Sequence, residues 1–222
     1  LAKHYDVYVC TNEKFKPDVE SSQLTYCYLS DEISDLITSL AGKKALESLN
    51  SLLGFLKTTM TLMRNIKSIQ KTMIWDAWHA IESVKPDLVV FNPKAYFAVH
   101  FADKIGAKSV CIPLFPQAIP TSDFPSLGFP NLSSRALNRL SYKVVAWSSK
   151  FIVGKEIANW RSTVKLAPVN TAMNIQKNSF GDDIPVLNAY SNHLVPQPGD
   201  YAKQVKTIGF LQADQNRQWQ PD

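Results

Sequence analysis

Strand-like and helix-like hydrophobic patterns alternate along the first part of the chain. Residues 5–11 and 24–29 are short runs rich in β-branched and aromatic side chains, and each predicts a strand. Residues 31–84 contain no proline, and their apolar positions recur every three or four residues, which predicts helical structure. We expect Gly42 and Gly54 to divide this region into two or three helices.

A strand, a helix and a second strand follow within residues 88–113. Residues 88–91 form a continuous apolar run between two prolines, as in a parallel strand that is buried on both faces. Residues 94–105 have helical periodicity with Gly106 just past their end, and residues 109–113 form the next apolar run. This succession predicts a βαβ unit, which places the chain in the α/β class with a mainly parallel sheet.

The segment after the second of these strands is rich in proline. We therefore do not expect residues 115–130, called the proline loop below, to form regular structure. In open α/β sheets, ligands bind at the edge where the strands end, so the proline loop is a candidate for ligand contact. Short runs at residues 185–189 and 207–210 predict two further strands.

A long amphipathic helix is predicted for residues 133–163. Its apolar positions, called the seam below, are Leu137, Leu140, Val144, Trp147 and Phe151. Their spacing is typical of a helix that faces the core, so we expect the seam to pack on the sheet. The same region carries many more basic than acidic side chains, a pattern that suits either a solvated face or an anionic membrane surface.

Composition and motifs indicate which partners and which kinds of site to expect. The net charge is +5, but no nucleic-acid recognition motif is present, so we expect no nucleic-acid partner. The three cysteines lack CxxC spacing and the four histidines lie far apart, which predicts no metal site and a reducing, cytoplasmic compartment. No apolar run approaches the roughly 18 residues of a spanning helix, so any attachment to membranes is expected to be peripheral.

Sequence signatures of catalysis are absent. The eight glycines are too widely spaced for a GxGxxG motif or a P-loop, and neither a GxSxG elbow nor an HExxH motif occurs. The pattern is that of a fold often used for catalysis, without a catalytic motif. A fragment, a binding domain and one half of a split enzyme would all have this character.

Three stretches resemble sterol 3β-glucosyltransferases, in matching order and spacing. Residues 87–125 are similar to that family's strand, N-P turn, helix with an H-[IF]-A-[ED]-K-[LI] motif, and P-T-x-x-F-P loop. Residues 190–210 are similar to its S-x-H-L-V-P-x-P-x-D-[WY] element, in which His193 and Asp200 are expected to shape the loop. Residues 139–147 fit the helix that follows the proline loop.

The resemblance implies the N-terminal, acceptor-binding domain of a GT-B glycosyltransferase, with a Rossmann-like layered fold. Residues 1–215 would form this domain without its first strand, and residues 216–222 would begin the linker to a donor-binding C-terminal domain. The family's catalytic base is expected upstream of Leu1, and its donor-binding loop in the C-terminal domain. We therefore expect no catalytic and no donor-binding residue in this chain, and no activity from the chain alone.

The implied reaction of the intact enzyme is an inverting transfer of a hexose, with glucose expected, from a UDP-sugar to a sterol or similar lipophilic hydroxyl. The UDP-sugar is a co-substrate, and no cofactor is expected. An anionic membrane surface is a further candidate partner, because a sterol has to be collected from a membrane. Two other functions stay open: a lipid-binding or regulatory domain without catalysis, and one subunit of a split transferase completed by a donor-binding domain in trans.

Six residues are candidates for the acceptor site: Asn92, His100, Gln117, Thr121, Phe124 and Pro125. Asn92 ends a strand at the ligand edge of the sheet, although it also suits the cap of the next helix. His100 either lines the cleft that would bind the acceptor or forms a hydrogen bond with a neighbouring carbonyl group. The other four lie on the proline loop, whose prolines fix φ angles. That loop is either an apolar wall for a sterol ring or a rigid surface connection.

Overall fold

The chain divides into two compact units. The computed structural model describes residues 4–30, 52–131, 133–169 and 174–211. The first unit contains residues 1–86 and 151–170, and the second unit contains residues 87–150 and 171–222. The expected domain boundaries stay predictions, and the expected linker at residues 216–222 lies outside the described residues.

A two-stranded parallel sheet begins the first unit. Strand β1 (Tyr8–Thr11) pairs with strand β2 (Thr25–Tyr28), with Tyr8 opposite Thr25. A short 3-10 turn (Glu13–Phe15) and helix α1 (Lys16–Ser21) connect them, and a proline in the first turn of α1 favours the start of that helix. Both strands confirm the sequence prediction, although each is shorter than the apolar run that predicted it.

The long helix α2 (Leu52–Val84) supplies much of the core of the first unit. Near its end, Trp78 is buried against Trp160, and the two rings meet edge to face with their centroids 5.0 Å apart. The helix runs through Gly54, so this glycine does not divide the helical region as expected, and Gly42 lies outside the described residues. A single glycine in a helix costs only about 1 kcal/mol, which the packing of a long helix can offset.

A four-stranded, fully parallel sheet forms the second unit. Its strands lie in the order β3 (Leu88–Phe91), β4 (Lys108–Cys111), β5 (Val186–Asn188) and β6 (Val205–Thr207). A 3-10 turn (Pro93–Ala95) and helix α3 (Ala98–Ile105) join β3 to β4, which confirms the predicted βαβ unit. Helix α3 ends at Gly106, whose φ of 74° is the left-handed conformation of a helix C-cap.

Strand β6 begins and ends earlier than the sequence predicted. The expected range was 207–210, whereas the strand covers Val205–Thr207. Gly209 has a φ of 87°, which an extended strand cannot contain, so the chain turns away soon after Thr207. The apolar residues that suggested a strand there are exposed: Ile208 and Phe210.

The expectation that β3 is buried on both faces is wrong. Val89 and Phe91 are 8% and 5% exposed, but Leu88 and Val90 are 49% and 51% exposed. Among the described residues, only one face of the strand is buried. Buried and exposed residues alternate because successive side chains of a strand point to opposite faces. A continuous apolar run shows that both faces tolerate burial, but it does not show that other elements cover both.

Helix α4 (Arg135–Thr163) confirms the predicted long helix, but not the face it was expected to bury. The seam residues are between 41% and 65% exposed: Leu137, Leu140, Val144, Trp147 and Phe151. In the first half of α4, the buried residues are instead Asn138, Ser141 and Tyr142. The expectation that the seam packs on the sheet is therefore wrong, because α4 turns a polar face toward the rest of the second unit.

Candidate functional site

Asn92 follows β3 at the edge of the sheet where the parallel strands end. Its side-chain oxygen accepts a hydrogen bond from the Lys94 backbone N–H at 3.1 Å, which caps the 3-10 turn. Its amide nitrogen donates to the carbonyl of Ile112, just beyond β4, at 3.5 Å. Asn92 therefore ties together the ends of two neighbouring strands, and a role in acceptor contact stays a prediction.

His100 lies in the interior of the second unit. It is 4% exposed and belongs to five consecutive buried residues of α3, Ala98 to Ala102. The helix thus holds the imidazole away from bulk solvent. His100 follows the turn that Asn92 caps by a few residues in the sequence. A contact between His100 and the acceptor stays a prediction.

The proline loop leaves β4 at the same edge of the sheet. It begins with a 3-10 turn, Pro116–Ala118, and is otherwise irregular, as its prolines predicted. Gln117 lies in that turn, and its side chain is outside the described part of the structure. Further along, Thr121 and Pro125 are buried and Phe124 is half-buried.

The proline loop buries several polar side chains and exposes two large apolar ones. The buried side chains include hydroxyls, those of Thr121, Ser122 and Ser126. Large apolar side chains are exposed, with Leu127 at 63% and Phe129 at 39%. Polar contacts therefore help to hold the loop to the rest of the second unit, while Leu127 and Phe129 are open to solvent.

Asp200, on the connection between β5 and β6, is the centre of those polar contacts. Its carboxylate accepts hydrogen bonds from Thr121 Oγ1 at 2.6 Å, from Ser122 N–H at 2.8 Å and from Ser122 Oγ at 2.7 Å. Arg139 of α4 donates to the same carboxylate at 3.3 Å. One carboxylate thus joins the proline loop to a second loop and to α4.

The Asp200 carboxylate is ionised throughout the usual pH range. Burial by itself would raise its pKa, but the hydrogen bonds from Thr121 and Ser122 and the Arg139 charge outweigh that effect and hold the pKa well below its usual range. A group that binds its proton so weakly is a poor general base. Asp200 is therefore suited to holding structure rather than to accepting a proton.

Helix α4 makes further hydrogen bonds to the proline loop. Arg135 Nη2 donates to Ser122 Oγ at 2.9 Å, and Asn138 Nδ2 donates to the Ser122 carbonyl at 3.0 Å. The backbone N–H of Ser126 donates to Ser141 Oγ at 2.8 Å. These contacts explain the polar face of α4, since Asn138 and Ser141 bond backbone groups that would otherwise be buried without partners.

Three tyrosines lie beside this network: Tyr142, Tyr190 and Tyr201. Burial raises the pKa of Tyr142 and Tyr201, and the neighbouring Tyr190 and Asp200 add to the shift, so both phenols stay protonated. Tyr201 Oη donates to the carbonyl of Pro116 at 3.2 Å. Among the described residues, the hydroxyl of Tyr142 and the Oδ1 of Asn138 are buried without a hydrogen-bond partner.

The structure places the predicted site residues in one unit and adds polar contacts to residues that the sequence did not indicate. All six candidate residues belong to the second unit. Thr121 contacts Asp200, which the family-like element had only suggested as a loop-shaping residue. Ser122, Asn138 and Ser141 were missed, although polar residues opposite the apolar seam of α4 were a possible signal.

Other kinds of site are not found in the part of the chain that the structure describes. No group of three His, Cys, Asp or Glu side chains there could hold a metal ion. No helix in the same ranges has both the length and the apolar character needed to cross a membrane.

Comparison with known proteins identifies related sequences. No family model matches the chain. It is similar to sterol 3-beta-glucosyltransferase UGT80A2 of Arabidopsis thaliana, with 31% identity over 142 residues that cover 63% of this chain and 21% of the relative. It is also similar to the sterol 3-beta-glucosyltransferase of Komagataella phaffii, with 22% identity over 223 residues, 97% of this chain and 17% of the relative. The chain thus spans a minor part of these relatives' own length.

Solved structures of glycosyltransferases share the fold. The calicheamicin glycosyltransferase CalG4 matches with a TM-score of 0.55 and 13% identity, covering 99% of this chain and 47% of the solved chain. The glycosyltransferase of kitacinnamycin matches with a TM-score of 0.55 and 13% identity, covering 100% of this chain and 49% of the solved chain. These matches and the parallel sheets confirm the predicted Rossmann-like α/β class. The chain is therefore similar in sequence to sterol 3-beta-glucosyltransferases and has the fold of part of a GT-B glycosyltransferase.

Proposed function

We propose that this chain is the acceptor-binding half of a glycosyltransferase that transfers a hexose, with glucose as the first candidate, from a UDP-sugar to a sterol or similar lipophilic hydroxyl. We also propose that the chain alone does not transfer the sugar. The donor-binding domain would be joined to it in cis or would bind it in trans. Sequence similarity to sterol 3-beta-glucosyltransferases supports the substrate class, although the chain spans only part of those proteins.

The proline loop is the observation that carries the proposal. It lies at the edge where the parallel strands end, which is where open α/β sheets bind ligands. Its polar residues are fixed by Asp200 and by α4, and its apolar residues Phe124, Leu127 and Phe129 remain half-buried or exposed. An apolar surface that is held rigid suits a flat, lipophilic ligand, because little conformational entropy is lost on binding.

We propose that the reaction uses a base and phosphate-binding groups from outside this chain. In an inverting displacement, a base removes the proton of the acceptor hydroxyl as the oxygen attacks the anomeric carbon, and the nucleoside diphosphate leaves. Asp200 is a poor candidate for that base, since its lone pairs are engaged and its pKa is lowered. The role left for the chain is to bind and orient the acceptor, while the base and the phosphate-binding groups come from elsewhere in the intact protein.

Phe124→Ala tests the apolar wall. Complete burial of a phenylalanine ring contributes roughly 1.5 to 3 kcal/mol, and Phe124 is half-buried before any acceptor binds. Removing the ring should therefore weaken sterol binding several-fold while the thermal midpoint changes little. The matched control is Phe180→Ala, since Phe180 is 71% exposed in the same unit and lies outside the proline loop.

Titration of the chain with a fluorescent sterol gives both affinities. Equal affinity of Phe124→Ala and the wild-type chain would place the acceptor elsewhere. An equal loss in Phe180→Ala would show that the probe binds exposed aromatic side chains without specificity.

An anionic membrane surface is proposed as the second partner. Leu137, Leu140 and Val144 form an exposed apolar stripe on α4, with the exposed Lys143 next to it and the exposed Lys150 further along the helix. Apolar side chains beside basic ones are what an interfacial helix presents to anionic lipids. Each basic residue near such a surface contributes about 1 kcal/mol, so attachment through this stripe would be reversible and sensitive to salt.

Co-sedimentation with phosphatidylserine and phosphatidylcholine vesicles tests this partner. The informative variant is Lys143→Glu with Lys150→Glu, because Arg135 and Arg139 are already engaged with the proline loop and Asp200. We expect the variant to lose most of the salt-sensitive binding to phosphatidylserine, and a control with Lys94→Glu and Lys104→Glu to keep it. Equal recovery of the wild-type chain with both kinds of vesicle would reject an anionic membrane partner.

A further inference from the structure

Two neighbouring residues hold both ends of the first part of the proline loop. Tyr201 Oη donates to the carbonyl of Pro116 at 3.2 Å, and Asp200 accepts from Thr121 and Ser122 at distances of 2.6 to 2.8 Å. Both ends of the segment 116–122 are thus hydrogen-bonded to the adjacent residues Asp200 and Tyr201. All of these residues belong to the second unit.

The Asp200 contacts are of the kind that fixes one conformation. Hydrogen bonds to an ionised acceptor are shorter and roughly twice as strong as bonds between neutral groups. Thr121 is 0% exposed and Ser122 is 7% exposed, so water cannot readily replace the carboxylate as their partner. If the carboxylate were lost, these hydroxyls would be buried without a comparable acceptor, and the loop would adopt other conformations to reach water.

The anchored positions lie directly before the apolar part of the loop. Phe124 is two residues beyond Ser122, and the backbone of Ser126 is held by Ser141 of α4 at 2.8 Å. The segment that carries Phe124 is therefore fixed on one side by Asp200 and on the other by α4. The position of the Phe124 ring depends on both anchors.

We propose that Asp200 is a positioning residue for acceptor binding, which holds the proline loop in the conformation that receives the acceptor. The proposal rests on the proposed function, since it assumes that the acceptor binds against this loop. It assigns Asp200 no contact with the acceptor and no step in proton transfer. As a consequence, residues on the connection between β5 and β6 would control the affinity of the proline loop for the acceptor.

The expected size of the effect follows from the populations of loop conformations. When only a fraction of molecules has the binding-competent loop, the apparent dissociation constant rises by the inverse of that fraction. Asp200→Asn keeps one acceptor oxygen but loses the charge and the second acceptor. We expect it to leave the loop competent about a tenth of the time, which raises the acceptor Kd about tenfold. Tyr201→Phe removes the hydroxyl that donates to the Pro116 carbonyl but leaves the Asp200 contacts in place, so it should raise the Kd less.

Hydrogen exchange and acceptor titration together test the proposal. In Asp200→Asn, amides of residues 119–126 should exchange at least several-fold faster, while amides of β3 and β4 keep their wild-type rates. The control is Asp183→Asn, which removes an exposed carboxylate that pairs with Lys177 at 2.8 Å in the same unit. This control should change neither the exchange of the proline loop nor the Kd.

The outcomes separate this proposal from the proposed function. Faster loop exchange with an unchanged Kd would overturn the positioning role, and unchanged loop exchange would overturn it as well. Faster exchange throughout the unit, instead of faster exchange confined to residues 119–126, would show a merely structural role and would overturn the proposal. If the wild-type chain bound no sterol at all, the proposed function would fail, and loop exchange alone would decide whether Asp200 fixes the loop.

Discussion

Replacing Thr121 by valine should destabilise the second unit, whereas the same replacement of Thr207 should not. Both threonines carry a buried hydroxyl oxygen, and valine has nearly the same shape as threonine. Thr121 Oγ1 donates to Asp200 at 2.6 Å and accepts from the Asp123 N–H at 3.1 Å. Thr207 Oγ1 has no hydrogen-bond partner. The pair thus compares a satisfied buried hydroxyl with an unsatisfied one on the same fold.

The magnitude follows from the two environments. A hydrogen bond to a charged group contributes about 1.5 to 3 kcal/mol to stability, and the extra methyl group of valine offsets part of its loss. We expect Thr121→Val to lower the free energy of unfolding by about 1 to 2 kcal/mol. In Thr207→Val, the buried oxygen is replaced by a methyl group that needs no partner, so stability should be unchanged or slightly higher.

Urea denaturation followed by circular dichroism measures both changes. With a urea m-value of about 2 kcal/mol/M, the loss expected for Thr121→Val lowers the midpoint by about 0.5 to 1 M. A midpoint for Thr121→Val within error of the wild type would show that the Thr121–Asp200 bond does not hold the loop. A large loss in Thr207→Val would refute the assignment of its hydroxyl as unsatisfied.

The shifted pKa values of Asp200 and Cys111 lead to two further predictions. Because the pKa of Asp200 is lowered in the folded state, its stabilisation is present above the unfolded value of about 3.9 and is lost as pH falls below it. The difference in urea midpoint between the wild type and Asp200→Asn should therefore be constant from pH 5 to 7 and shrink below about pH 4; a constant difference down to pH 3 would contradict the lowered pKa. Burial raises the pKa of the Cys111 thiol to about 12, so Cys111→Ala should leave the number of thiols labelled by Ellman's reagent at pH 8 unchanged in the native chain and reduce it by one in denaturant. A lower native count in the variant would show that Cys111 is accessible.

Local patterns predicted the elements of the second unit well. The apolar run of β3, the helical period of α3 and the glycine at position 106 follow one another within a short stretch, and each acts through neighbouring residues. The parallel pairing of β3 and β4 then follows from the helical crossover between them. Agreement among adjacent signals made the βαβ unit predictable.

The buried face of α4 was not predictable in the same way. Hydrophobic periodicity shows which residues share a face, but it does not show what covers that face. Here the covered face is polar because Asn138 and Ser141 satisfy backbone groups of the proline loop. A loop that needs hydrogen bonds reverses the usual preference of a helix for burying its apolar side.

The centre of the candidate site depends on contacts between distant parts of the sequence. Asp200 lies 79 positions from Thr121 and 61 from Arg139, so no local pattern relates them. The sequence did place Thr121 on a loop at the ligand edge and Asp200 in a family-like element. Only the folded chain shows that the two form one network.

Equilibrium binding of a sterol and of UDP-glucose to the same purified 222-residue chain tests the central claim most directly. The claim is that this chain binds the lipophilic acceptor and does not supply the donor site. It predicts saturable binding of a fluorescent sterol, competed by unlabelled sterol, and no detectable binding of UDP-glucose in the same buffer. Binding of UDP-glucose without binding of sterol, or formation of steryl glucoside by the chain alone, would contradict the account.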